Sequence, residues 1–197
     1  MRNNKGFTLV ELAVVLVIIG IILGAVLKGG DLIDNAKEKQ FKSEISTLTT
    51  AYYNYLDKYG RLPGDDNKAA TRWPVAGTTP AATSGDNSGL IDVAAEKAAA
   101  TGALDHLRRA GFLADQPVNT ATNFTSQAYN GITMNFDSDA TPTYFAKKSN
   151  VLVITGLSAD DKATYDTKYD DGVYNTGDVR SSDGAVYANQ ALWIRLR

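Results

Sequence analysis

The chain of 197 residues contains no cysteine. Disulfides, thiolate zinc sites and cysteine nucleophiles are excluded, so any loop that a disulfide could close must be held by packing, hydrogen bonds or a metal. There is one histidine, His106. With no thiol and no ordered carboxylate spacing beside it, it reads as structural rather than as a ligand or base. No Gly-x-Ser-x-Gly elbow and no phosphate-binding glycine loop is present, which removes the common routes to hydrolase and nucleotide chemistry. An excess of one charge is missing too. The 20 Lys/Arg and 22 Asp/Glu give a formal net charge of −2 and form no basic patch, so nucleic-acid binding is not indicated. Proline is absent before Pro63, so nothing in the first stretch forces a helix to kink.

Charge is scarcest from Phe7 to Leu27, where Glu11 is the only ionised residue in an apolar run interrupted by glycine. About 20 apolar residues suffice to cross a bilayer as a helix. Arg2 and Lys5 precede the run, and Lys28, Asp31 and Asp34 follow it. The positive-inside tendency leaves the N-terminus in the cytoplasm and carries the remainder across the membrane. The run is longer than the ~7–15 residues of a secretory h-region, and no small-x-small cleavage site follows it cleanly. Glu11 then needs an account, because a charge in lipid costs about 2.5–3.5 kcal/mol. Two readings are open. In one, nothing else in the span can pair with it, and the partner is another chain or a terminal amine, such as the α-ammonium group that a cut between Gly6 and Phe7 would create. In the other, Glu11 lies near the membrane surface and snorkels.

The string Lys5-Gly6-Phe7-Thr8-Leu9-Val10-Glu11-Leu12 resembles the class III signal of type IV prepilins and type II secretion pseudopilins. It has a short basic leader ending in glycine, then phenylalanine, then glutamate five residues into the mature chain. The resemblance implies cleavage between Gly6 and Phe7 by a prepilin peptidase and N-methylation of Phe7. It further implies helix-in-helix assembly in which Phe7 and Glu11 pair across subunits. The implied partners are other copies of the chain, other pilins or pseudopilins, an inner-membrane assembly platform and, before assembly, membrane lipid. The implied location is the bacterial inner membrane, crossed once, with the soluble domain outside the cytoplasm and an extracellular or periplasmic filament after assembly. A second string, Tyr59-Gly60-Arg61-Leu62-Pro63-Gly64-Asp65-Asp66, resembles the segment after the stem in many pilin-like proteins. The expectation is a structural subunit, not an enzyme: a type IV pilus-like filament subunit, or alternatively a type II secretion pseudopilin. The rival from a different class is a membrane-anchored binding protein that never polymerises, with the Asn67–Gly89 stretch as its binding loop.

The division expected is a cleaved leader over 1–6, a transmembrane and polymerisation helix over 7–30, and a soluble domain over 31–197. Phe41, Ile45, Leu48, Tyr52, Tyr55 and Tyr59 recur at spacings of four and three, which predicts an amphipathic helix over 31–59 with one face to bury. Lys37, Lys39, Lys42, Glu44 and Asp57 fall mostly off that face. Gly29-Gly30 is either a weak point or an ordinary juncture within the helix. Gly60 suits a left-handed cap, with Pro63 as a stop. Residues 67–89 read as an irregular surface loop and 90–113 as a second helical region. The period then changes to two. Strands are expected at 132–136, 151–154 and 192–196, with 143–146 a fourth, and Ser158 caps a short helix running to Tyr169. The fold class is α+β: a pilin-like roll whose long N-terminal helix packs on a small antiparallel sheet.

No cofactor is required by these patterns. Asp166, Asp170, Asp171, Asp178 and Asp183 crowd one glycine-containing loop, and oxygen donors of this kind suit calcium. The spacing fails the EF-hand pattern, and surface turns favour Asp for local hydrogen bonding alone. Asn123-Phe124-Thr125 matches a glycosylation sequon.

Overall fold

A computed structural model describes residues 8–76, 81–114, 122–139, 145–181 and 191–196. One helix dominates it. Helix α1 runs unbroken over Leu9–Tyr59, about 75 Å at ~1.5 Å per residue. Thr8 caps its start, and Gly60 ends it in the left-handed conformation (φ 65°), donating its N–H to the Leu56 carbonyl. The helix continues through Gly29 and Gly30 without a break. Nothing packs against either glycine there, so no contact forces a bend.

The second half of α1 buries Phe41, Ile45, Leu48, Ala51, Tyr52 and Tyr55, the face that the four-and-three spacing predicts; Tyr59 is only half-buried. The opposing layer is a five-stranded antiparallel sheet. Its strands are β1 (Phe124–Thr125), β2 (Thr133–Asp139), β3 (Ser149–Thr155), β4 (Val179–Ser181) and β5 (Leu192–Leu196), in the order β1-β2-β3-β5-β4. Along β2, Met134 and Phe136 point inward between half-buried neighbours, as a period of two requires. Tyr52 stacks on Phe136 with ring centroids 5.5 Å apart, and Phe136 pairs with Leu152 on β3. The core lies between α1 and the sheet, and Ile91, Leu104, Leu107 and Tyr165 from the connecting segments pack into the same cluster.

Three expectations need correction. The region 90–113 is not one helix but two, α3 (Ala94–Lys97) and α4 (Ala103–Arg109), preceded by a turn of helix α2 (Ala69–Arg72) inside the 67–89 stretch. Residues 98–102 turn the chain sharply, and a Cβ on Gly102 would lie 2.0 Å from the Glu96 carbonyl oxygen. Only a residue without a side chain fits such an approach. Replacing Gly102 with alanine is expected to destabilise the protein by about 1–3 kcal/mol, as overpacking does. Thermal melts of the detergent-solubilised chain check it, and an unchanged melting temperature would count against the close approach. Second, Phe145 and Ala146 form a bend rather than a strand, while residues 143–144 lie outside the described residues; the further strands are β1 and β4. Third, Glu44 is buried, not solvated. Its carboxylate accepts from the Ser126 hydroxyl at 2.6 Å and from the backbone N–H groups of Gln127 and Ala128, tying α1 to the turn between β1 and β2. The C-terminal helix stands as expected: α5 (Ala159–Tyr169) begins at Ser158, whose hydroxyl accepts from the Asp161 N–H.

Candidate functional site: the exposed apolar helix and the loop junction behind it

Among the described residues, nothing packs over the apolar first half of α1. Fourteen large apolar side chains between Leu9 and Leu27 are each at least 47% exposed. Burial of each contributes about 1.5–3 kcal/mol, so leaving the set in water costs on the order of tens of kcal/mol. This segment is long and apolar enough to cross a membrane, and it can be stable only in lipid or against other apolar helices. Glu11 sits in its first turn. Within its own chain Thr8 donates both its N–H and its hydroxyl to the Glu11 carboxylate, each at 2.8 Å, and Glu11 N–H returns a bond to the Thr8 hydroxyl. This is a capping box, favoured because the first turn of a helix leaves N–H groups without partners. It supplies hydrogen bonds but no positive charge. Gly6 and Phe7 lie outside the described residues.

At the far end of α1 the chain is knotted by carboxylates instead of a disulfide. Asp66 is fully buried. It accepts from the Tyr55 hydroxyl at 2.7 Å and from the Lys68 N–H at 2.9 Å, and it is ion-paired with Arg72. The Arg72 guanidinium lies 4.1 Å over the Tyr59 ring. Asp65 points the other way and accepts from the N–H groups of Ser88 and Gly89 at 2.9 and 2.7 Å. Glu96 accepts from the N–H groups of Asp86, Asp92 and Val93, each at 3.1 Å. Burial pushes Asp66 upward, but its bonds with Arg72, Tyr55 and Lys68 together hold it below the usual carboxylate range. Asp65 is pushed up to about 6, first by burial and further by Asp86 and Glu96. Leu62-Pro63-Gly64-Asp65-Asp66 is therefore the clasp that fastens the 67–89 stretch to the end of the long helix.

His106 completes the clasp. Its Nδ1 accepts from the Gly64 N–H at 2.9 Å, and its Nε2 lies 2.8 Å from the Thr83 carbonyl. Those partners require the neutral ring with the proton on Nε2. Burial lowers its pKa below the usual value near 6.5. A folded-state value below the unfolded one means that the unfolded chain binds the proton first, so this contribution to stability is present at pH 7 and is lost as pH falls below about 6.5. Asp65, shifted the other way, gains stability over part of the same window. Comparison with His106→Gln, which keeps one donor and one acceptor, isolates the histidine. The wild type is expected to lose more stability than His106→Gln between pH 7 and 5, measured by thermal melts; parallel curves would contradict the neutral, buried assignment.

The aspartate loop is only partly gathered. Carboxylate oxygens of Asp166, Asp170 and Asp171 lie within 4.8 Å of one another. Asp178 turns away to an ion pair with Arg195, and Asp183 lies outside the described residues. Asp170 accepts from the Val179 N–H, and Asp171 from Val173 N–H and the Thr176 hydroxyl. Local hydrogen bonding therefore accounts for Asp170 and Asp171 as loop organisers.

The fold and the exposed helix define a class: an α+β domain carried on a helix that must leave water. Residues 1–27 match the family model of the prokaryotic N-terminal methylation motif. That motif is the prepilin signal of type IV pilins and pseudopilins, and this chain carries it. No curated protein and no solved structure matches the chain.

Proposed function

We propose that this chain is a structural subunit of a type IV pilus-like filament. The observation that carries the proposal is the exposed apolar half of α1 with a single acidic residue, Glu11, in its first turn and the methylation motif over it. In this reading prepilin peptidase cuts between Gly6 and Phe7, and Phe7 is N-methylated. Residues 7–30 anchor the subunit once in the bacterial inner membrane, with 31–197 outside the cytoplasm. An assembly platform then transfers the helix from lipid into a helical bundle of like subunits or other pilins. Apolar contacts with lipid are exchanged for apolar contacts with helices, and the domains form the outer shell. No step of this role requires catalysis.

Shearing of cells followed by mass spectrometry of the N-terminal peptide tests it. Methylated Phe7 abundant in sheared fibres is the expected result. The same terminus confined to membranes would assign a secretion pseudopilin instead. An intact Met1 in every fraction would overturn the filament reading in favour of a simple anchored domain.

A further inference from the structure

The base of the domain carries an acidic groove of about 540 Å³ between α1 and α5. Its walls hold four carboxylates, Asp31, Asp34, Glu38 and Asp161, above a floor that includes Phe41 and Tyr165, and no basic side chain among the described residues lines it. Lys37 reaches Asp34 at 3.5 Å and Lys168 reaches Glu38 at 2.5 Å from outside the groove. Asp31 and Asp161 have no cation among the described residues. The negative field is concentrated: besides burial, Asp161, Glu38 and Asp34 all push the Tyr129 hydroxyl upward.

The complementary feature is at the other end of the same domain. Lys147 and Lys148 are exposed on the turn entering β3, beside a shallow depression that reaches Gly89 and Leu90, and neither forms an ion pair among the described residues. The next residues of β3 place this turn along α1. Leu152 pairs with Phe136, whose ring stacks on Tyr52, whereas the groove lies at residues 31–41 and is bordered by Leu157 beyond the opposite end of β3. Asp34 and Asp31 lie 18 and 21 residues before Tyr52 on the helix, roughly 27–32 Å at ~1.5 Å per residue. A single chain cannot bring these surfaces together. A second copy displaced along the helix axis by that distance does so.

We infer that the groove between Asp31, Asp34 and Asp161 receives the Lys147-Lys148 turn of another copy of this chain, in a head-to-tail contact between soluble domains. The inference rests on the filament reading above and adds the contact that sets axial spacing. Such a contact joins two different patches, leaves each copy with one groove and one turn still open, and so propagates without closing. Acid against base also steers the incoming subunit and disfavours a copy in the wrong register.

The absence of cysteine makes the test direct. Asp34→Cys combined with Lys148→Cys in the full-length chain is expected to give a ladder of covalent multimers when sheared fibres are oxidised, and Asp57→Cys with Lys148→Cys is expected to give none. In parallel, reversing Asp31 and Asp34 to lysine, or Lys147 and Lys148 to glutamate, is expected to lower fibre yield at least tenfold, because like charges then face each other. Combining the two reversals is expected to restore the yield. Fibres that form normally with no ladder and no charge effect would overturn this contact and leave the filament reading intact. A wild-type chain that forms no fibres at all would overturn both.

Discussion

Replacement of Glu11 with alanine is expected to leave membrane insertion and leader cleavage intact and to reduce filament yield at least tenfold. Insertion should if anything improve, since an ionised side chain in lipid costs about 2.5–3.5 kcal/mol and alanine carries none of that cost. The Thr8 bonds satisfy part of the carboxylate within its own chain, so the residue is tolerable in a lone membrane helix. They do not neutralise it. A bundle of apolar helices offers no other positive charge, whereas cleavage after Gly6 would give each neighbour an α-ammonium group on Phe7. Losing one partner of a desolvated charge pair typically costs 2–5 kcal/mol, a factor of ten or more. Blotting sheared and membrane fractions of cells that express Glu11→Ala, with mass spectrometry of the N-terminus, measures insertion, cleavage and assembly separately. Wild-type fibre yield from the mutant would sink the pairing role.

The second large effect is expected at Asp66. Alanine there should destabilise the domain by about 3–5 kcal/mol, the usual cost of removing one member of a buried ion pair. The loss leaves Arg72 without its counter-ion while its stacking on Tyr59 still holds it in place. It also leaves the Tyr55 hydroxyl without its acceptor in the core. At about 2–4 °C per kcal/mol for a domain of this size, the melting temperature should fall by roughly 6–20 °C. Asp57→Ala, at an exposed position on the same helix, serves as the control and should stay within about 0.5 kcal/mol of wild type. The sign with pH follows from a folded-state pKa held below the unfolded one. The Asp66 contribution is complete above the unfolded value near 3.9 and disappears as pH falls through the lower folded one. The difference between wild type and Asp66→Ala should therefore shrink below about pH 4. A difference that is small at pH 7, or that grows in acid, would contradict the clasp.

The two halves of α1 were not equally legible. The membrane half is read directly from composition, because an apolar run with one charge has few places to go in any fold. The soluble half is read from period, and Phe41 to Tyr55 obey it. Glu44 escapes the same reading. It lies one position before Ile45 and looks like a flank residue until the turn at Ser126, 82 residues later, arrives to bond it. The 90–113 region fails for a related reason. Its alanines favour helix locally, and the break at 98–102 is set by the approach of Gly102 to Glu96.

The sequence by itself determined the membrane signal, the long helix with its buried face, the cap at Gly60, the α+β class and the absence of any disulfide. These depend on local spacing and on transfer from water, which act the same way wherever the segment ends up. Tertiary structure alone decided what the Asp65-Asp66 pair does. Its partners Ser88 and Gly89 lie more than twenty residues away and His106, bound to Gly64, lies 42 residues away; no periodicity encodes such a meeting. The acidic groove is the same kind of product. Asp31 and Asp34 on α1 and Asp161 on α5 are ordinary surface charges in sequence, and only the packing of α5 beside the stem gathers them into one field.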